Sequence, residues 1–263
     1  MAMICREHVN GNLYEAAWYS YGFLPKNTKR NREKRQKLTD KAHRVINAKN
    51  SRNQFMRYIC KNFKSGKDWK LELTYGGEEP SRKLAMSRLS HFHSRMKKAF
   101  QKVKKRRLEY KFMAVTETHG KDGEPARIHH HLIINNMPKT DMLKLVQQCW
   151  TFGGVHLERL VEDDNFEDTA TYFLKERKPL HQRRWTRSRN LIPPDEPVRT
   201  IRKEAEAGVV PPGVTVWESE RCENEYGGFG YISARITNRR AFNRYLKKRD
   251  EKYRRFTRGK SPI

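Results

Sequence analysis

The sequence is short of acidic residues. Its 263 residues hold 30 Asp and Glu against 57 Lys and Arg, a formal net charge of +27. A surplus of that size points to a polyanion, nucleic acid first and a membrane surface second. Long apolar runs are missing as well. None approaches the ~20 residues that a spanning helix needs, and no apolar signal peptide is read at the start. Hydrophobic residues make up only 36%, so part of the length is expected to form arms. The four cysteines, Cys5, Cys60, Cys149 and Cys222, lie too far apart for a C-x-x-C zinc or redox pair. A reduced intracellular compartment is the simplest reading. A P-loop is lacking too. Gly259-Lys260-Ser261 has the right ending, but the earlier glycine would fall at Arg254.

What is present is most informative at Arg127-Ile128-His129-His130-His131-Leu132-Ile133-Ile134-Asn135. This run reads as a strand. Successive side chains then alternate between faces, so His129 and His131 project together and His130 points away. Two imidazoles on one face can grip one divalent metal. The preceding strand offers Glu117, two residues after Val115, as a third ligand. A hard carboxylate suits Mg²⁺ or Mn²⁺. His119 shares the parity of Glu117 and is the alternative. About forty residues further on, Tyr172 and Lys175 stand one helical turn apart. A phenol is a weak nucleophile at neutral pH and needs help. An ammonium beside it can stabilise charge on an attacked phosphate. A metal, a tyrosine and a strongly basic chain together suggest chemistry on a phosphodiester.

The surrounding pattern is orderly from Lys67. Trp69, Leu71, Leu73 and Tyr75 alternate with polar residues as a half-buried strand, which Gly76-Gly77 ends. Ser81 can cap a helix to about Arg107, with Ala85, Leu89, Phe92, Met96, Phe100 and Val103 on one face. Tyr110 to Thr118 and Arg127 to Asn135 are further strands. A helix runs from Pro138 or Thr140 to Trp150, and a strand from Val155 to Leu160. Asp163 or Asp164 can cap a last helix through Arg177, which Pro179 stops. The order is β-α-β-β-α-β plus one helix carrying Tyr172. That predicts an α+β fold of ferredoxin-like type, an antiparallel sheet with two crossover helices on one face and the other face left for a site.

Three domains are expected: a basic N-terminal extension over 1–65 with one helix from about Thr39 to Asn62, a central domain over 66–191, and a C-terminal extension over 192–263. The first 65 residues hold 15 Lys/Arg against 4 Asp/Glu. Residues 192 to 213 read as a proline-rich, charged linker. Thr215 to Ser219 and Gly230 to Ile236 can pair as strands. Arg235 to Lys260, with 12 Lys/Arg against 2 Asp/Glu, reads as a basic helix or tail. Arg183, Arg184, Trp185, Arg187 and Arg189 are candidates for a strand-binding groove, arginine for phosphates and the aromatic for bases. His91-Phe92-His93 repeats the histidine spacing, but on a helix residues two apart point about 200° apart and cannot share one ion.

The three motifs together, Leu71-x-Leu73-Thr74, His129-His130-His131 and Tyr172-x-x-Lys175, resemble those of HUH-type rolling-circle replication initiators. The order, histidines before tyrosine, is that of the initiators and the reverse of conjugative relaxases. The resemblance is strongest to the single-tyrosine replication-associated proteins of bacterial plasmids and phages. It covers 67–191 well and the ends loosely, through Met3-Ile4-Cys5-Arg6-Glu7, Arg184 to Leu191 and Trp217-Glu218-Ser219. The residue between the ligand histidines is normally hydrophobic in that family, and here it is His130. Asp168 and Glu176 occupy the positions four residues from Tyr172, so a two-tyrosine mechanism is not expected.

The resemblance implies a metal site at Glu117, His129 and His131 and a nucleophile at Tyr172. It also implies nicking of single-stranded DNA at a replication origin, cytoplasmic action in a bacterial host, and a host helicase as partner. The competing readings are an HUH-type transposase and a non-catalytic basic nucleic-acid-binding protein.

Overall fold

The computed structural model describes residues 3–20, 40–102, 109–119, 125–161, 166–175, 184–195, 198–201, 208–224 and 227–257. In chain order the first elements are strands β1 (Met3–Asn10) and β2 (Leu13–Ser20), then helix α1 (Asp40–Asn62). Next come β3 (Trp69–Leu73), α2 (Arg82–Lys102), β4 (Phe112–His119), β5 (Pro125–Ile134), α3 (Met142–Cys149), β6 (Val155–Arg159) and α4 (Glu167–Phe173). The last are β7 (Thr186–Arg187), β8 (Val198–Ile201), β9 (Val214–Asn224), β10 (Gly227–Ile236) and α5 (Arg239–Thr257). The architecture is α+β, with two five-stranded sheets whose neighbouring strands are antiparallel. The chain forms two compact units, Lys37–Pro193 and the joined termini Met1–Gln36 with Pro194–Ile263. These units divide the chain at other points than 65 and 191: α1 goes with the central segment, and the first strands go with the last.

In the central unit the strand order is β6-β3-β5-β4-β7. The connection from β3 through α2 to β4 skips the place that β5 fills by returning from β4. The core explains the order. Ala85, Leu89, Phe92, Met96 and Phe100 recur every three to four residues along α2 and are buried. They pack on Leu71, Leu73, Ala114, Leu132 and Ile134, the even- or odd-numbered residues that each strand turns to that side, with Met142 and Val146 of α3 in the same cluster. Leu71 and Leu132 are fully buried; either one cut to Ala would cost about 2–5 kcal/mol. Both helix starts are capped as the side chains suggest. Ser81 Oγ accepts from the Leu84 N–H at 3.3 Å, and Asp141 Oδ1 from the Lys144 N–H at 3.2 Å. At Gly153 a Cβ would stand 2.3 Å from the Thr74 carbonyl oxygen. Only glycine lets that loop run against the end of β3.

The other unit has the order β8-β1-β2-β10-β9. Helix α5 buries Phe242 against Tyr14, ring centroids 5.3 Å apart. Under it, Arg249 Nη1 lies 2.8 Å from Glu7 Oε1, which also accepts from the Tyr14 hydroxyl. The expected pairing of the two C-terminal strands and the basic helix are both there. The opening hairpin β1–β2 and strand β8, inside the stretch read as a linker, were not expected. Buried Glu7 and Glu15 interrupt the apolar alternation that marks a strand. The signal available was Asn10-Gly11, since Gly11 (φ 59°) and Asn12 form the two-residue turn.

Candidate active site

Register builds the site. On the sheet face opposite α2 and α3, Glu117 stands across from His129, and His131 lies between Val115 and Glu72. Beyond Glu72 comes His156, and in the next row Lys70 faces Glu158. One face thus carries two imidazoles, several carboxylates and an ammonium on four adjacent strands. Such a row is stable only if the charges pair and the rings bond.

They do. Glu117 Oε2 is 3.1 Å from His131 Nε2 and 3.3 Å from His129 Nε2. One donor atom from each of the three residues lies within 4.8 Å of the other two. Glu117 and His131 are almost fully buried, at 2% and 1% exposure. Burial by itself would raise the Glu117 carboxyl, but hydrogen bonds from His129, His131 and Lys175 hold it well below the usual carboxylate range. His129 is pushed the other way: burial would lower it, and the Glu117 carboxylate outweighs that and raises it. The His129 Nδ1–H donates to the Arg127 carbonyl at 2.8 Å, which turns Nε2 toward the cluster. His119 is exposed and bonds Thr118 instead. A register shift between Glu117 and His119 breaks the parity they share in the sequence.

His130 points into the opposite layer. It is fully buried, with Nε2 2.7 Å from the Tyr75 hydroxyl and Nδ1 2.9 Å from Thr116 Oγ1. Burial keeps it neutral, with its pKa down at about 3. This histidine is a core residue, and its two bonds are why a polar ring is tolerated there.

Tyr172 lies on α4 with its ring edge-on to His131, centroids 5.1 Å apart, and 43% exposed. The next residue, Phe173, stacks on His131 and packs on Phe55 of α1, so α4 is pinned over the histidines. Lys175 Nζ is 4.3 Å from the Tyr172 ring centre and 3.2 Å from Glu117 Oε1. The helix itself is shorter than the sequence suggests. It ends at Phe173, and Leu174 (φ −107°, ψ 18°) leaves the helical region, so Lys175 reaches Glu117 from beyond the helix. Residues 162–165 and 176–183, which include the expected cap at Asp163 or Asp164 and the stop at Pro179, lie outside the described residues.

Two neighbours of the tyrosine are absent from the sequence reading. Lys70 Nζ is 5.2 Å from the Tyr172 ring centre and pairs with Glu158 Oε1 at 2.6 Å. Glu72 Oε2 is 3.8 Å from His131 Nδ1. The alternation of β3 already put both on the face opposite Leu71 and Leu73, which was the signal available. The groove reading of Trp185 changes. Its indole N–H donates to Ser51 Oγ at 3.1 Å and its ring packs on Phe55 and Tyr58, so it anchors α1. Arg187 lies over the Tyr58 ring. His91 is exposed, whereas His93 is stacked on Phe112, so the helical pair diverges.

Fold and site define an α+β sheet domain in which two histidines and a glutamate face an exposed tyrosine. The donor set, two imidazole nitrogens and one ionised carboxylate, fits a divalent ion. Residues 68–177 match a family model of replication-associated proteins, the family of the ORF2 and gene-two proteins. The match supports a rolling-circle replication initiator, and HUH-type motifs are consistent with it. No curated protein and no solved structure matches the chain. No helix among the described residues is long and apolar enough to cross a membrane.

Proposed function

We propose that this chain is a metal-dependent nickase and strand-transferase that opens one DNA strand at an origin to start rolling-circle replication. The chemistry resides between residues 66 and 191, on a ferredoxin-like β-α-β-β-α-β sheet with Tyr172 on the added helix. The basic flanks, 1–65 and 192–263, add phosphate contacts. The observation that carries the reading is the exposed Tyr172 ring held 5.1 Å from His131, with Lys175 linking the tyrosine to Glu117. The match to a replication-associated family favours the initiator over a transposase.

Glu117, His129 and His131 would hold Mg²⁺ or Mn²⁺, which when bound polarises the scissile phosphate. The Tyr172 oxygen attacks phosphorus and loses its proton. A phosphorus–oxygen bond forms to the tyrosine, and the bond to the departing strand's 3′ oxygen breaks. That oxygen takes a proton and leaves as a free 3′-hydroxyl. Lys175 and Lys70, on either side of the ring, offset the negative charge of phosphate and phenolate. His131 and Phe173 fix the direction from which the phenol approaches. The 5′-phosphotyrosyl link keeps the energy of the broken bond, so a 3′-hydroxyl can attack it and rejoin the strand. Strand separation falls to a host helicase.

Incubation with single-stranded origin DNA and Mn²⁺ tests this. The expected product is a covalent protein–DNA adduct that Tyr172→Phe abolishes while DNA binding persists. A Tyr172→Phe variant that forms adduct at the wild-type rate would move the nucleophile elsewhere. Metal-independent binding with no cleavage of any strand would leave the basic binding protein as the better reading.

A further inference from the structure

The other face of the central sheet has a second feature that the nicking chemistry does not use. A cleft of about 550 Å³ opens between α2 and the segment that follows β7. Phe112, which packs on the α2 side of β4, forms its floor, with the His93 ring stacked on it at 3.5 Å and 13°. Glu109 is the one acid among its described lining residues, and Asn190 holds it at 2.9 Å. Lys97 and Arg189 are exposed on opposite walls.

Two polar atoms lining this cleft are closed off from solvent and have no partner: His93 Nε2 and Asn190 Oδ1. Such orphans are rare. Their chemistry follows from what their other ends do. Burial keeps the Tyr110 hydroxyl protonated and holds His93 neutral, at about 3. The hydroxyl lies 3.1 Å from His93 Nδ1 and donates to it, which leaves the ring proton on Nε2 as an unused donor. Asn190 spends its amide hydrogens on Glu109 Oε2 and the Tyr110 carbonyl, so its oxygen is an unused acceptor. One donor and one acceptor on an aromatic floor, with cations at the rim, match an unpaired nucleotide. Every base has a π-face and an edge that presents a donor beside an acceptor.

We propose that this cleft takes one unpaired nucleotide of the DNA strand, its base edge on His93 Nε2 and Asn190 Oδ1 and its phosphate on Lys97 and Arg189. The proposal rests on DNA being the substrate and is independent of how it is cut. Binding includes a side-chain rotation at the wall, because both atoms are closed off before it. Duplex DNA, whose base edges are occupied, does not fit.

The test uses the full chain in EDTA, so that no nicking occurs. Single-stranded oligonucleotides carrying 5-iodouracil are cross-linked and the modified peptides mapped. Cross-links within 90–101 and 187–190, abolished in Ser94→Trp, are expected; Ser94 is exposed, so the indole fills the cleft without disturbing the core. Lys97→Ala with Arg189→Ala should weaken single-strand affinity several-fold. It should also flatten the salt dependence by about 0.7 in the log–log slope for the one phosphate no longer neutralised. Cross-links that all map elsewhere, or unchanged affinity and slope in the double variant, overturn the proposal. Cross-links here with no Mn²⁺-dependent adduct would keep this site and remove the nickase reading. An adduct with no cross-link here would do the reverse.

Discussion

Lys175 Nζ stands 3.2 Å from Glu117 Oε1 and 4.3 Å from the centre of the Tyr172 ring, so one ammonium joins the carboxylate of the histidine cluster to the tyrosine. Glu117 is 2% exposed and Lys175 is one of three hydrogen-bond donors that keep it ionised. Lys175→Met removes that donor and leaves the tyrosine beside the histidines. Adduct formation is expected to fall by about 10²-fold, the scale of losing one charge-stabilising donor. Mn²⁺ binding, measured by calorimetry, should persist, because both histidines still hold the carboxylate. Abolished metal binding together with an unchanged single-turnover rate in excess Mn²⁺ would show that the lysine serves only the metal site.

The two histidine pairs give a sharper test. Either His129→Ala or His131→Ala removes one of three converging donors and should eliminate Mn²⁺-dependent nicking at ordinary metal concentrations. His91 is exposed on α2 and far from any such cluster, so His91→Ala should nick and bind Mn²⁺ as the wild type does. His93→Ala loses the stack on Phe112 and should lower stability while metal affinity holds. Retained Mn²⁺ binding in both strand variants would overturn the assignment of the ligands.

Acid should destabilise the central unit. His93 and His130 are both held neutral by burial, each at about 3. Once unfolded they protonate near ~6.5. Their contribution is therefore fully present above ~6.5 and is lost as pH falls toward 3, with a slope of at most about 1.4 kcal/mol per pH unit for each. Glu117, depressed, begins to cost stability only at lower pH, beneath the ordinary carboxylate value. Denaturant titrations at pH 7.0, 6.0 and 5.0 should show the decline, and His93→Gln with His130→Gln should flatten it. An equal slope in the double variant would assign acid sensitivity to other groups.

Helix α5 offers cations without being dispensable. Phe242 is buried on Tyr14 and Arg249 neutralises Glu7, so deleting the helix would expose one and strand the other. Arg240, Arg244, Lys247 and Lys248 are exposed. Replacing these four with Gln should weaken binding to non-cognate single strands and flatten the salt slope by about 0.7 for each phosphate no longer neutralised, with little change in melting temperature. A slope equal to that of the wild type would show that α5 does not touch DNA.

The sequence by itself determined the central sheet and the grouping of its site. Period-two alternation in β3 and β5 and the stripe along α2 are local signals, because burial of one face repeats at the element's own period. That period put His129 with His131 and His130 with the core. Three things were decided only in three dimensions. The buried Glu7 and Glu15 hid the first strands, since the partners that make those charges tolerable, Arg249 and Tyr231, lie more than two hundred residues away. Lys70 and Glu72 came to Tyr172 and His131 because antiparallel register carries one strand's face onto the next, which no spacing along the chain records. Glu117 rather than His119 met the histidines because a register shift falls between them. Strand alternation is fixed by the backbone, whereas the point at which a ladder slips is fixed by the neighbour against which it pairs.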